Sequence, residues 1–188
     1  MHPAMHRTAA ELNAGLDEVR KSPRDEGRVE AIVVRPATDE RREMTTCRFA
    51  VGAGADGDRW VERFPSPPLP GMKEQDSQIT LMNSRAVRLI SGARDRWALA
   101  GDQLYVDLDL GVENLRPGDR LRAGTVVFEI TPMPHNGCRK FASRYGDDAL
   151  AFVNSPEGKH LHLRGIYARV VEAGEIRVGD AIRKHPAV

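Results

Sequence analysis

The strict alternation in Gln103-Leu-Tyr-Val-Asp-Leu-Asp-Leu110 constrains the fold more than any other stretch of the chain. Successive side chains of a strand point to opposite faces, so Leu104, Val106, Leu108 and Leu110 fall on one side and belong to a core. Other short apolar runs have the same character. Val29 to Arg35 reads as a strand closed by Pro36, and residues 44 to 51 as a second. Arg120 to Thr131 reads as a hairpin turning at Ala123-Gly124, and Ile166–Val171 with Glu175–Arg183 as a final hairpin through Ala173-Gly174. Gly-Asp recurs at 57–58, 101–102, 118–119, 146–147 and 179–180. This is turn chemistry, since Gly tolerates positive φ and Asp hydrogen-bonds its own backbone. Short strands joined by Gly and Pro turns, without regular strand–helix alternation, predict a mainly β barrel or sandwich with helical insertions.

Helical signals are fewer. Thr8-Ala-Ala-Glu11 matches a capping box, followed by Leu12, Leu16 and Val19 on one face and a stop at Ser22-Pro23. Residues 1–26 are therefore expected to form a helical extension, with the main domain over 27–188. Asn83 is placed to cap a short helix with Ala86, Leu89 and Ile90 inward and Gly92 at its end. A further helical section is expected over about 138 to 154. Residues 52 to 77, with four Gly and four Pro, make a long irregular stretch of the kind that serves as a lid or one wall of a site.

A 188-residue chain is long enough to bury roughly 70% of its unfolded surface without a disulfide or a structural metal. The 28 Lys+Arg and 27 Asp+Glu leave a net charge of +1, and no basic stripe marks a nucleic-acid or anionic-membrane surface. Only five of the 28 cations are Lys, which a GC-rich genome explains as readily as anion recognition does. No run approaches the ~18 apolar residues of a membrane helix, and the N-terminus lacks a secretory apolar core. Two cysteines, Cys47 and Cys138, are no disulfide scaffold. A cytoplasmic protein with reduced thiols is the expectation, and Cys47, in a strand, reads as a small core residue.

Thr131-Pro-Met-Pro-His-Asn-Gly-Cys-Arg-Lys-Phe141 is the most unusual segment. Pro132 and Pro134 stiffen the exit from a strand. Asn136 can cap a helix ending near Tyr145 and Gly146, Gly137 leaves open space, and Cys138 then lies in the first turn. Exposed amides and the helix dipole there favour an anion, and His135, Arg139 and Lys140 add positive charge. Such surroundings lower a thiol pKa from about 8.5 into roughly the 3.5–7.5 range. The thiolate is the reactive form, as nucleophile or as soft-metal ligand. Against this stands a core reading, since free Cys is often buried and Cys138, Phe141 and Tyr145 share a helical face. A Cys-His hydrolase using His135, His160 or His162 lacks an identifiable orienting residue. Zinc at His160 and His162 lacks a partner pair at structural-zinc spacing. Asp58, Arg59 and Trp60 read as a ligand-contacting wall or as an ordinary turn. Asp107 and Asp109 read as a solvated strand face.

The segment resembles the cysteine-bearing signature of MOSC domains, named for the C-terminal domain of molybdenum cofactor sulfurases. The resemblance spans roughly 28 to 184. It takes in the opening strand Gly27 to Val34, the Gly57-Asp58-Arg59-Trp60 turn, Gln78 to Leu81, Leu115 to Leu121, Glu129 to Cys138, Gly165 to Val171 and Gly174 to Asp180. It implies a MOSC-like β-barrel with a few short helices. It also implies that Cys138 either carries sulfur as a persulfide or ligates molybdenum in the pterin cofactor (molybdopterin), with His135, Asn136, Gly137, Arg139, Lys140, Asp58, Arg59 and Asp102 around the ligand. A cysteine desulfurase or a molybdenum-enzyme partner is then expected. A role in reducing N-hydroxylated compounds would need separate redox partners, since the chain shows no flavin or iron–sulfur motif. Many members carry Arg-x-Pro before the Cys, where this chain has His135-Asn136-Gly137. Many carry Arg-Glu-Asn at a strand start, where it has Gly101-Asp102-Gln103. Pyridoxal phosphate is not expected, because nothing singles out one of the five Lys as a Schiff-base residue. The alternative reading is a non-catalytic β-barrel module that binds a small ligand or a partner protein, with Cys138 structural.

Overall fold

The computed structural model describes residues 6–63, 71 and 73–186. Among them, seven strands close a barrel. In chain order the strands are β1 (Glu26–Val34), β2 (Arg42–Met44), β3 (Thr46–Ala50), β4 (Gly54–Ala55), β5 (Ile79–Asn83), β6 (Leu104–Asp107), β7 (Arg120–Ala123), β8 (Val126–Ile130), β9 (Ile166–Glu172), β10 (Gly174–Arg177) and β11 (Ala181–His185). The barrel runs β11-β7-β8-β9-β5-β6-β1 and returns to β11 through pairing of Glu26–Arg28 with Ala181–Arg183. All of these neighbours are antiparallel except β5 and β6. The far end of β1 carries β2 as an extra strand, and β10-β3-β4 form a small second sheet.

Alternation sorts the side chains as the sequence predicts. Leu104, Val106, Leu108 and Leu110 point into the barrel with Ile79, Leu81 and Phe128, while Tyr105 and Met82 point outward. In β1 the inward residues are Val29, Ile32 and Val34, a break in the period of two. A bulge between Val29 and Ala31 causes it: one extra residue flips all that follows to the opposite face.

Helices cover the outward face. They are α1 (Ala9–Ala14), α2 (Leu16–Arg20), α3 (Ser84–Ser91), α4 (Arg139–Tyr145), α5 (Asp147–Asn154) and α6 (Pro156–His160). Thr8 and Glu11 form the expected capping box at α1, and the Asn83 carboxamide accepts from Arg85 N and Ala86 N at α3. Leu12, Leu16 and Val19 pack with Ala86, Tyr105 and Phe141 in one buried cluster. None of the helices is long and apolar enough to cross a membrane, among the described residues.

The expected helical section over 138–154 divides into α4 and α5, the first ending at Tyr145 as expected, because Gly146 with its φ of 94° cannot continue an α-helix. One local expectation needs correction. The closing segments Ile166–Val171 and Glu175–Arg183 are not a hairpin. Both edges of β9 are already taken, by β8 and β5, so the chain leaves it and β10 pairs with β3 instead. Within the stretch 52–77, residues 64–70 and 72 lie outside the described residues, and so does any lid they form. The five Gly-Asp turns do hold: their glycines have φ between 77° and 97°.

Candidate functional site

Cys138 stands where the strap from β8 meets α4. Its backbone is extended (φ −127°, ψ 177°), so it is the N-cap residue itself and not a member of the first turn, and its carbonyl accepts from Phe141 N and Ala142 N. Asn136 does not cap this helix. Cys138 is exposed, which removes it from the core. The space beside Gly137 is filled: a Cβ there would stand 2.8 Å from both Leu150 Cδ1 and Val153 Cγ2. Gly137 is instead a docking point. The Asn154 carboxamide accepts from Gly137 N (2.9 Å) and donates to Gly137 O (3.1 Å), pinning the strap to α5.

The thiol borders a cleft of about 300 Å³. Six cations line it, Arg35, Arg41, Arg59, Lys140, Arg144 and Arg164, against one carboxylate, Asp39. Two further carboxylates lie beneath as counter-charges. Asp58, with no exposed side-chain surface, accepts from Arg35 N, Nε (2.8 Å) and Nη2. Asp102, also fully buried, accepts from Arg164 Nη1 at 2.7 Å. Burial pushes the Asp102 carboxyl up, and Arg164 and Arg35 pull it back towards the charged form. Burial likewise opposes charge on Arg164, but Asp102 outweighs it and raises the guanidinium further.

Arg41 and Arg144 converge over Gly101, whose missing Cβ leaves the approach open: Arg41 Nη2 lies 3.5 Å and Arg144 Nη1 3.9 Å from where that atom would be. Arg144 donates to Leu99 O and has Asp39 at 3.5 Å. Arg41 Nε is buried without a hydrogen-bond partner. Partial burial lowers its pKa, and the neighbouring Arg144 and Arg35 charges lower it further. Arg59 and Lys140 form no ion pair among the described residues. The cleft therefore holds positive charge that is not neutralised among the described residues.

His135 corrects an expectation. It adds no charge at Cys138. Its ring is tucked against Tyr167 (centroids 4.4 Å apart) with 8% of its side chain exposed. Burial holds its pKa well below 6.5, and Arg164, Arg35 and His162 push the same way, so it is neutral. Its Nδ1 faces Asp102 Oδ1 at 3.8 Å, too long for a hydrogen bond, and both atoms are buried without partners.

Of the expected site residues, His135, Asn136, Cys138, Lys140 and Arg59 line one cleft, with Asp58 and Asp102 as buried supports. Gly137 braces the strap, and Arg139 is exposed outside the lining. Sequence reasoning missed Arg35, Arg41, Arg144, Arg164, Thr80 and Tyr167. The four arginines each stand within two residues of the end of a strand or helix, a position too common among these short elements to single them out. Cys47 is buried as expected, and burial raises its thiol to about 11. No cluster of three or more metal-ligating His, Cys, Asp or Glu side chains exists among the described residues.

Comparison with known proteins fits this architecture. No curated protein matches the sequence at a significant level. Among solved structures, the YuaD protein from Bacillus subtilis superposes with a TM-score of 0.61 at 15% identity, covering 87% of this chain and 97% of that one. YiiM from Escherichia coli gives 0.54 at 16%, covering 86% and 71%. YiiM from Geobacillus stearothermophilus gives 0.56 at 16%, covering 85% and 75%. Identities this low speak for the shared barrel alone. The family profile of the MOSC domain matches residues 68–183, from the residues before β5 to β11. With more than half its length under that match and Cys138 inside it, the chain belongs to the MOSC domain family.

Proposed function

We propose that this protein handles sulfur, or a molybdenum cofactor, through Cys138. The observation that carries the reading is the exposed Cys138 on the border of a cleft lined by six cations. A thiolate beside unneutralised positive charge is an accessible nucleophile. It attacks the terminal sulfur of a donor persulfide, forming a new S–S bond on Cys138 as the donor's own S–S bond breaks and the donor leaves as thiolate. No net oxidation occurs, so a cysteine desulfurase persulfide suffices as donor.

The same residues fit an anionic pterin cofactor. Arg35, Arg41, Arg59 and Lys140 offer donors to its phosphate, and the buried, unpartnered Nε of Arg41 adds a donor that the protein itself does not use. Cys138 offers soft sulfur to the metal, and when bound the molybdenum supplies an atom-transfer centre. Neutral His135 leaves the cationic charge to the arginines and Lys140.

Incubation with a cysteine desulfurase and cysteine is expected to add the mass of one sulfur, removable by cyanide and absent from Cys138→Ser. If no mass is gained and the protein as isolated contains no molybdenum, both forms of the proposal fail.

A further inference from the structure

The strap Pro132–Asn136 has a second side. Behind it lies a pocket of about 330 Å³, walled by Val112, Leu115, Ile130, Met133, Val153 and Ile166 and by the rings of Pro117, Pro132 and Pro134. It shares His135, Asn136 and Arg164 with the cationic cleft, so the strap is a partition between the two. Its size is that of a small-molecule site, and the two prolines hold its wall in place before any ligand arrives.

The charges around it are of one sign. No carboxylate lines the pocket, whereas Arg116, Lys159 and Arg164 do. Arg164 is taken by Asp102 and Ala100 O, and His162 Nδ1 donates to Leu110 O. Arg116 and Lys159 are in no ion pair among the described residues. The nearest acid on α6, Glu157, is held by Arg20 at 2.7 Å. Two uncommitted cations therefore stand beside hydrocarbon walls of which Leu115, Ile130, Val153 and Ile166 are buried. Inorganic anions gain nothing from such walls, and neutral hydrocarbons gain nothing from the cations.

We infer that this pocket is a second ligand site, for a small organic carboxylate with a hydrocarbon body, held by the walls and paired with Lys159 and Arg116. The site is independent of the chemistry proposed at Cys138.

Calorimetric titration of the native protein with 4-phenylbutyrate, 4-phenylbutanol and inorganic phosphate tests it. Saturable one-to-one binding of the carboxylate is expected, with the alcohol at least about tenfold weaker. Phosphate should leave that binding unchanged. Lys159→Glu, an exposed position, should weaken it by about tenfold or more. Val112→Trp, which fills the pocket, should abolish it while circular dichroism stays native, and Lys159→Glu carries the test alone if that variant misfolds. Arg41→Ala, in the other cleft, should leave it unchanged. Absence of saturable binding, equal affinity for the alcohol, or loss with Arg41→Ala instead of Lys159→Glu would overturn the inference.

Discussion

Removing the carboxylate of Asp102 strands a guanidinium that keeps 11% of its side-chain surface. Breaking a buried pair from one side leaves an uncompensated charge, so Asp102→Ala should cost about 3–5 kcal/mol in urea unfolding. A loss under about 1 kcal/mol would mean that water replaces the carboxylate. His135 makes a prediction of opposite chemistry. In the unfolded chain a His takes a proton near pH 6.5, whereas the folded ring resists it until well below that value. The unfolded state thus binds the extra proton first, and stability falls as pH drops below about 6.5, by about 1.4 kcal/mol per pH unit. His135→Gln should lack this increment. Denaturation of both proteins at pH 7 and pH 5.5 reads the difference, and parallel losses would refute it. The two segments in which this chain departs from the common MOSC pattern thus meet in space, His135 against Asp102.

The strap between β8 and α4 owes its position to α5. Asn154 supplies both side-chain hydrogen bonds seen to Gly137. Asn154→Ala should leave two half-buried backbone groups unpaired, at about 1–3 kcal/mol. The amides of residues 135–139 should then exchange faster while those of β8 do not, and sulfur loading of Cys138 should slow. Unchanged exchange would assign the strap's order to its prolines alone. What was legible in the sequence divides along the same line. Caps, Gly-Asp turns and the Pro-x-Pro exit are written within a few residues, so Thr8 and Asn83 could be placed, whereas the cap expected at Asn136 falls on Cys138. The hairpin expected at Ala173-Gly174 failed because the local turn signal knows nothing of β5, which takes the edge of β9. The brace at Asn154 and the convergence of Arg35, Arg41, Arg144 and Arg164 depend on contacts between distant segments. In a chain whose cations are mostly Arg, four more at element ends carry no visible mark.

On the scale of the molecule, a net charge of +1 conceals a cleft with six cations and one acid in its lining. The fold separates charge that the composition balances. The barrel that holds this arrangement tolerates little at its seam. A Cβ on Gly27 would stand 1.8 Å from the Asp107 carbonyl oxygen, a backbone atom fixed in β6. Gly27→Ala should therefore push β1 off β6 and cost several kcal/mol (about 1–3 for overpacking alone), measured as a lowered thermal midpoint. A midpoint within error of the native one would show that the strands can separate there without loss.

The closing pair, Glu26–Arg28 on Ala181–Arg183, joins segments nearly the whole chain apart. Long-range pairings of this kind slow folding, because most of the chain must be ordered before they reward it. During synthesis β1 and β7 wait with unpaired edges until β11 leaves the ribosome, and open edges invite pairing with other chains. Chains truncated before Ala181 should accumulate as aggregates and not as a smaller soluble barrel, which makes the final strand the step that decides yield.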